Sequence, residues 1–170
     1  GAPYYVDSRG NYWRMYLFIE GATCYNLVEK PEDCYQSGKA FGHFQRLLAH
    51  YPARELAETI PGFHDTPGRF RAFRKAVEED ICGRASEVQN EIQFVMDREQ
   101  DMGLAMDMLA KGELPLRVTH NDTKLNNIMI DDKTGQAICI IDLDTVMPGL
   151  SIFDFGDSIR LGANTAEEDE

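Results

Sequence analysis

Apolar positions change period along the chain, and each change predicts a different element. The opening stretch YYVDSRGNYWRMYLFIEG alternates β-favouring residues around Ser8-Arg9-Gly10-Asn11, which predicts a hairpin whose second run ends at Glu20-Gly21. From Pro31 the spacing becomes helical. Ala40, Phe44, Leu47, Leu48 and Tyr51 form one stripe, and Pro52 marks its end. The next stretch, PARELAETIPGFHDTPG, is rich in proline and glycine and reads as an irregular connection. Two more helical patterns follow. One spans about 68–82 with Phe70, Phe73 and Val77; the other spans about 85–111 with Ile92, Val95, Met96, Met102, Met106 and Leu109. Gly83 and Gly112 stand where helices stop, and the methionines read as core. After Pro115 come two short β runs around a turn at Asp131–Gly135, and a last helical pattern begins near Ile152. The order of elements predicts an α+β fold.

Composition sharpens this picture. With 43% apolar residues in 170, the chain can bury a core. Twenty-nine acidic residues against seventeen basic ones give a net charge of -12, which opposes attraction to nucleic acid or an anionic membrane surface. An anionic ligand must therefore arrive with a cation or meet a local basic group. Cys24, Cys34, Cys82 and Cys139 are too scattered for a zinc site or a disulfide framework, and reduced thiols predict a cytoplasmic setting. No apolar run approaches the ~18 residues of a membrane span. The missing initiator Met and the acidic end TAEEDE suggest a segment of a longer protein.

The candidate chemistry is concentrated in THNDTKLNN. Asp122, Lys124 and Asn127 put a carboxylate, an ammonium and a carboxamide within six residues, and Asp142 and Asp144 follow after the next hairpin. Any one of these could be an ordinary polar loop residue. As a set they meet the needs of phosphoryl transfer: a carboxylate to orient and deprotonate an acceptor hydroxyl, hard oxygen ligands for magnesium, and a cation facing the moving charge.

His120-Asn121-Asp122-Thr123-Lys124-Leu125-Asn126-Asn127 resembles the protein-kinase catalytic loop H-R-D-x-K-x-x-N, with Asn121 replacing the arginine. That replacement and the lack of an A-P-E segment turn the resemblance away from protein kinases. IDLD after the hairpin is similar instead to the small-molecule branch, the aminoglycoside phosphotransferase and choline kinase relatives. Within it, THNDTKLNN, IDLDTVMPGL, DFGDSIRLGA and IPGFHDTPGR look most like the N-acetylhexosamine 1-kinases.

The resemblance implies a protein-kinase-like fold that is mostly the helical C-terminal lobe. Residues 1–20 would be the last hairpin of the small lobe and the hinge, and residues 21–170 the large lobe, with its catalytic loop over 117–145 and its C-terminus cut short. It implies an ATP- and magnesium-dependent kinase of a small-molecule hydroxyl, the anomeric hydroxyl of an N-acetylhexosamine first. Another acceptor (choline, homoserine, an aminoglycoside) or a non-catalytic kinase-like binding module is the alternative. The phosphate-covering loop and the nucleotide-pairing lysine of such kinases are missing here, so these 170 residues alone are expected to be inactive.

Carried over, Asp122 would be the catalytic base and Lys124 would face the γ-phosphate. Asn127 and Asp142 would bind magnesium, and Asp144 would bind a second ion or orient the first. Ile19 and Glu20 would lie at the adenine-binding hinge, and His120 would brace the loop. His64 and Asp65 read as loop braces ahead of substrate contacts. The literal Asp154-Phe155-Gly156 lies twenty-seven residues past Asn127, against fifteen for Asp142, and follows Met147-Pro148-Gly149, which is expected to break any strand. The resemblance makes Asp154 an acceptor for the loop's backbone N–H groups and leaves the metal to Asp142.

Overall fold

The computed structural model describes residues 3–163, so the acidic tail Glu167–Glu170 lies outside the described residues. Among the described residues the fold is α+β, with five α-helices and three small antiparallel sheets. Strands β1 (Tyr5–Val6) and β2 (Tyr12–Trp13) form the first hairpin, with Tyr5 opposite Trp13. Asp7 holds the turn by accepting hydrogen bonds from the backbone N–H groups of Arg9 and Asn11 and from Trp13 Nε1. The second β run was expected to reach Glu20, but it stops at Trp13. Met15, Leu17 and Phe18 are 87–95% exposed, and no strand among the described residues pairs with them. Without a partner an extended run is not a strand.

Strand β3 (Ala22–Thr23) joins β5 (Ile128–Asp131), which pairs with β6 (Ala137–Ile140), giving the order β3-β5-β6. Helix α1 (Pro31–Leu47) starts with proline and two acids, which suit its positive N-terminal end. Its inward row differs from the predicted stripe. Asp33, Gln36 and Phe41 are buried and Ala40 and Phe44 half-buried, whereas Leu47 and Tyr51 are exposed. The row is shifted because α1 packs on the β5–β6 hairpin: the buried Gln36 accepts from the Ala137 N–H at 3.0 Å. Phe41, Leu125, Ile128 and Ile130 form the core between them, with Ala40, Ala137 and Ile140 at its edge. Complete burial of Ile128 is worth about 1.5–3 kcal/mol.

Helix α2 (Thr66–Glu79) turns Phe70, Phe73 and Val77 inward and is capped by Asp65, which accepts from Gly68 N. The single helix expected over 85–111 is instead two, α3 (Gln89–Met96) and α4 (Leu104–Ala110). The break has a local cause. The Arg98 guanidinium donates to the Phe94 carbonyl at 2.7 Å and stacks on the Phe94 ring, so the Arg98 N–H bonds back only three residues, to Val95. No helix among the described residues is long and apolar enough to cross a membrane.

Strand β4 (Arg117–Thr119) pairs antiparallel with β7 (Met147–Gly149). Met147-Pro148-Gly149 therefore is a strand, against the expectation that it breaks one. Proline is tolerated because this is a two-stranded edge ladder, where an N–H can face away from the partner. Gly149 is required by close approach, since a Cβ there would lie 2.2 Å from Thr119 Oγ1. Helix α5 (Ser151–Gly162) follows directly.

Candidate active site

Strand β4 delivers the loop that follows it into a buried frame built largely by α5. Asp154, only 3% exposed, accepts hydrogen bonds from His120 N at 3.0 Å, Asn121 N at 2.8 Å and Gln45 Nε2 at 2.5 Å. One turn further along α5, Asp157 accepts from Thr123 N at 2.8 Å and from Arg160 at 2.9 Å. Thr123 Oγ1 also donates to the Asp154 carbonyl. Two carboxylates three residues apart thus hold the backbone on both sides of Asp122. His120 is fully buried between the edges of Phe41 and Phe44, and its Nε2 donates to the Ile141 carbonyl at 3.1 Å.

Asp122, Lys124 and Asn127 come together. Asn127 Nδ2 donates to the Asp122 carbonyl at 2.9 Å and to Asp122 Oδ2 at 2.8 Å. Lys124 Nζ lies 3.6 Å from the same Oδ2. The short helical turn Leu125–Asn127 makes this possible by curling the carboxamide back over the loop.

Asp142 stands at the same end of the β5–β6 hairpin as Asn127. Ile128 pairs with Ile140, the Ile141 N–H donates to the Asn127 carbonyl at 2.9 Å, and Asp142 is the next residue, exposed and left-handed with φ 57°. A carboxamide and a carboxylate at one hairpin mouth are hard oxygen donors and fit magnesium in kind. Among the described residues, no three His, Cys, Asp or Glu side chains gather as a metal-binding group. Asp144 is turned elsewhere, in an ion pair with Arg14. Ile19 and Glu20 are not brought to the loop. They precede Gly21, whose carbonyl accepts from Asp132 N at the turn end of the hairpin.

The contributions of Gln45, Thr123, Thr145, Asp157 and Arg14 are absent from the sequence reading. Asp157 alone had a local signal, its i+3 position after Asp154 on one helix. His64 Nε2 lies 2.9 Å from Asn121 Oδ1, and its ring stacks on Phe153 at 4.1 Å. Burial holds the His64 imidazole below its ordinary value, an effect to which Arg69 adds and which the Asn121 hydrogen bond, Asp154 and Asp157 oppose.

A histidine whose folded pKa is depressed contributes stability that is full above its unfolded value, near 6.5, and lost as pH falls from there through the folded value. Urea midpoints are thus expected to drop more steeply between about pH 7 and pH 5.5 in the parent protein than in His64→Gln. Equal slopes would show that His64 does not titrate out of line.

The model of the phosphotransferase enzyme family (APH) matches residues 3–170 of the chain.

Proposed function

The chain belongs to the phosphotransferase enzyme family, and from that premise we propose that it transfers the γ-phosphoryl group of ATP to a small-molecule hydroxyl with magnesium as cofactor. The grouping of Asp122, Lys124 and Asn127 carries this reading. Asp122 takes the proton of the attacking hydroxyl, in a loop already fixed by Asp154 and Asp157. Lys124 is within reach of Asp122 and meets the charge on the transferred group. Asn127 and Asp142 would hold the metal, which would supply charge neutralisation on the nucleotide phosphates. Asp144 would join that set if released from Arg14, and Ile19 and Glu20 would serve the adenine side. His120 and Asp154 support the loop.

For the acceptor we propose the anomeric hydroxyl of an N-acetylhexosamine. The support is the resemblance of THNDTKLNN, IDLDTVMPGL, DFGDSIRLGA and IPGFHDTPGR to the sugar 1-kinases, the last being the segment from which His64 reaches the catalytic loop. ADP release by the full-length protein, measured with N-acetylhexosamines, choline, homoserine and an aminoglycoside, tests it. The expected result is magnesium-dependent turnover of the N-acetylhexosamine to its 1-phosphate. Turnover of another acceptor alone would overturn the sugar assignment and keep the kinase. Nucleotide binding without release of ADP for any acceptor would favour a non-catalytic binding module.

A further inference from the structure

We infer that His64 is a positioning residue of the catalytic loop, fixing the Asn121 carboxamide that ties the loop to the segment following Asp142. The effect on turnover rests on the phosphotransferase reading; the contact itself does not. Asn121 is 5% exposed and left-handed, with φ 67°, and directly precedes Asp122. Asparagine takes up that conformation more readily than other residues with a Cβ, and here its surroundings hold it there. Its carboxamide spends both ends on this task. Nδ2 donates to the Thr119 carbonyl at 3.2 Å and to the Thr145 carbonyl at 2.8 Å, while Oδ1 accepts from His64 Nε2 at 2.9 Å.

One small side chain therefore joins the end of β4 to the stretch that begins at Asp142. Thr145 Oγ1 adds a parallel link to the His120 carbonyl at 2.7 Å. A carboxamide is nearly symmetric in shape, so its orientation depends on its partners. A flip would set the oxygen against the Thr119 and Thr145 carbonyls, two repulsive contacts in a buried place, so Oδ1 is the end that faces His64. His64, as the Nε2–H tautomer, supplies the donor that holds Oδ1 in place.

His64 is itself fixed. Its ring is nearly parallel to Phe153, at 22°, and meets the edge of Phe63 at 4.9 Å. Phe153 is the neighbour of Asp154, so one turn of α5 seats both the histidine and the carboxylate that binds Asn121 N. Arg69 donates to the Phe63 carbonyl at 2.8 Å and Asp65 caps α2, which pins the segment on either side of His64. The sequence has an asparagine where the resembling loops carry an arginine; here a histidine arriving from 57 residues away completes the anchoring.

Two substitutions separate donor from ring. His64→Phe keeps the stack on Phe153 and removes the N–H, whereas His64→Gln places an N–H near the Nε2 position without the ring. In His64→Phe of the full-length protein, kcat is expected to fall about 10- to 100-fold with both KM values within about threefold, a size typical of a small misplacement of catalytic groups. His64→Gln is expected to recover most of the loss. Amide hydrogen exchange of a peptide covering 119–127 should quicken in the Phe variant and return toward the parent rate in the Gln variant. In an Asn121→Ala background, His64→Phe should have little further effect on either readout. Equal kcat and equal exchange in the Phe and Gln variants would overturn the inference, as would a change confined to KM. If the full-length parent turns over no acceptor, the kinase reading fails, and the exchange rates still decide whether His64 positions the loop. Should the Phe variant not fold, the Gln variant decides against the Asn121→Ala protein: parent-like exchange supports the inference, and exchange as fast as in Asn121→Ala overturns it.

Discussion

In the full-length protein Asp122→Asn is expected to lower kcat about 10²- to 10⁴-fold, with the KM values for nucleotide and acceptor within a few-fold of the parent. The substitution is close to isosteric, and much of the local geometry survives it. Asn127 Nδ2 still finds the backbone carbonyl of residue 122, and the carbonyl end of a new carboxamide can replace Oδ2 as its second acceptor. The loop backbone on either side is held from α5, not by the Asp122 side chain. What disappears is the proton acceptor and the negative charge 3.6 Å from Lys124. Steady-state kinetics in both substrates, with a urea midpoint for each protein, checks this. Near-parent turnover at unchanged stability would sink the assignment of Asp122 as base.

Local patterns were legible in the sequence where they had a local cause. The two short β runs around Asp131–Gly135 gave the β5–β6 hairpin, because the turn chemistry sits in the turn itself: Asp131 accepts from Lys133 N, Thr134 N and Thr134 Oγ1. That same set, with the Thr134 side chain first, holds the Asp131 carboxyl below its usual range. Phe70, Phe73 and Val77 gave the inward face of α2 for the same reason, spacing alone. The break at Arg98 was not legible, since it depends on which carbonyl a flexible guanidinium takes. The β4–β7 pairing was missed because Pro148 vetoes a strand only where its missing N–H is needed, and that depends on a partner 30 residues away.

The candidate site divides along the same line. Residues within one loop, Asp122, Lys124 and Asn127, could be grouped from spacing, and the structure brings their side chains together. The frame beneath them is assembled from distant segments: Gln45 meets Asp154 across 109 positions, and Arg14 meets Asp144 across 130. No periodicity encodes such pairs. The Arg14 contact also changes the question asked of Asp144, which must exchange a guanidinium for a metal before it could act as a ligand. Arg14 raises that prospect in a form the sequence could not: the cation that meets Asp144 belongs to the chain itself.

Asp154→Ala and Asp142→Ala are expected to fail in different ways, and the difference separates frame from chemistry. Removing the Asp154 carboxylate leaves three donors, Gln45 Nε2, His120 N and Asn121 N, without an acceptor in a buried place. Each unpaired buried donor costs about 1–3 kcal/mol, so a loss of about 3–5 kcal/mol in unfolding free energy is expected after partial relaxation. Asp142 is exposed, and its replacement should cost no more than about 1 kcal/mol, chiefly for alanine at φ 57°. Its effect falls on the reaction. With one of two oxygen donors gone from the hairpin mouth, magnesium-dependent turnover should be abolished in a protein that still unfolds near the parent midpoint. Urea unfolding and turnover against magnesium concentration, measured on both variants, read the two effects independently. If Asp154→Ala instead raised the magnesium requirement at parent stability, while Asp142→Ala kept its magnesium dependence, the metal would belong to the aspartate of the DFG triplet after all.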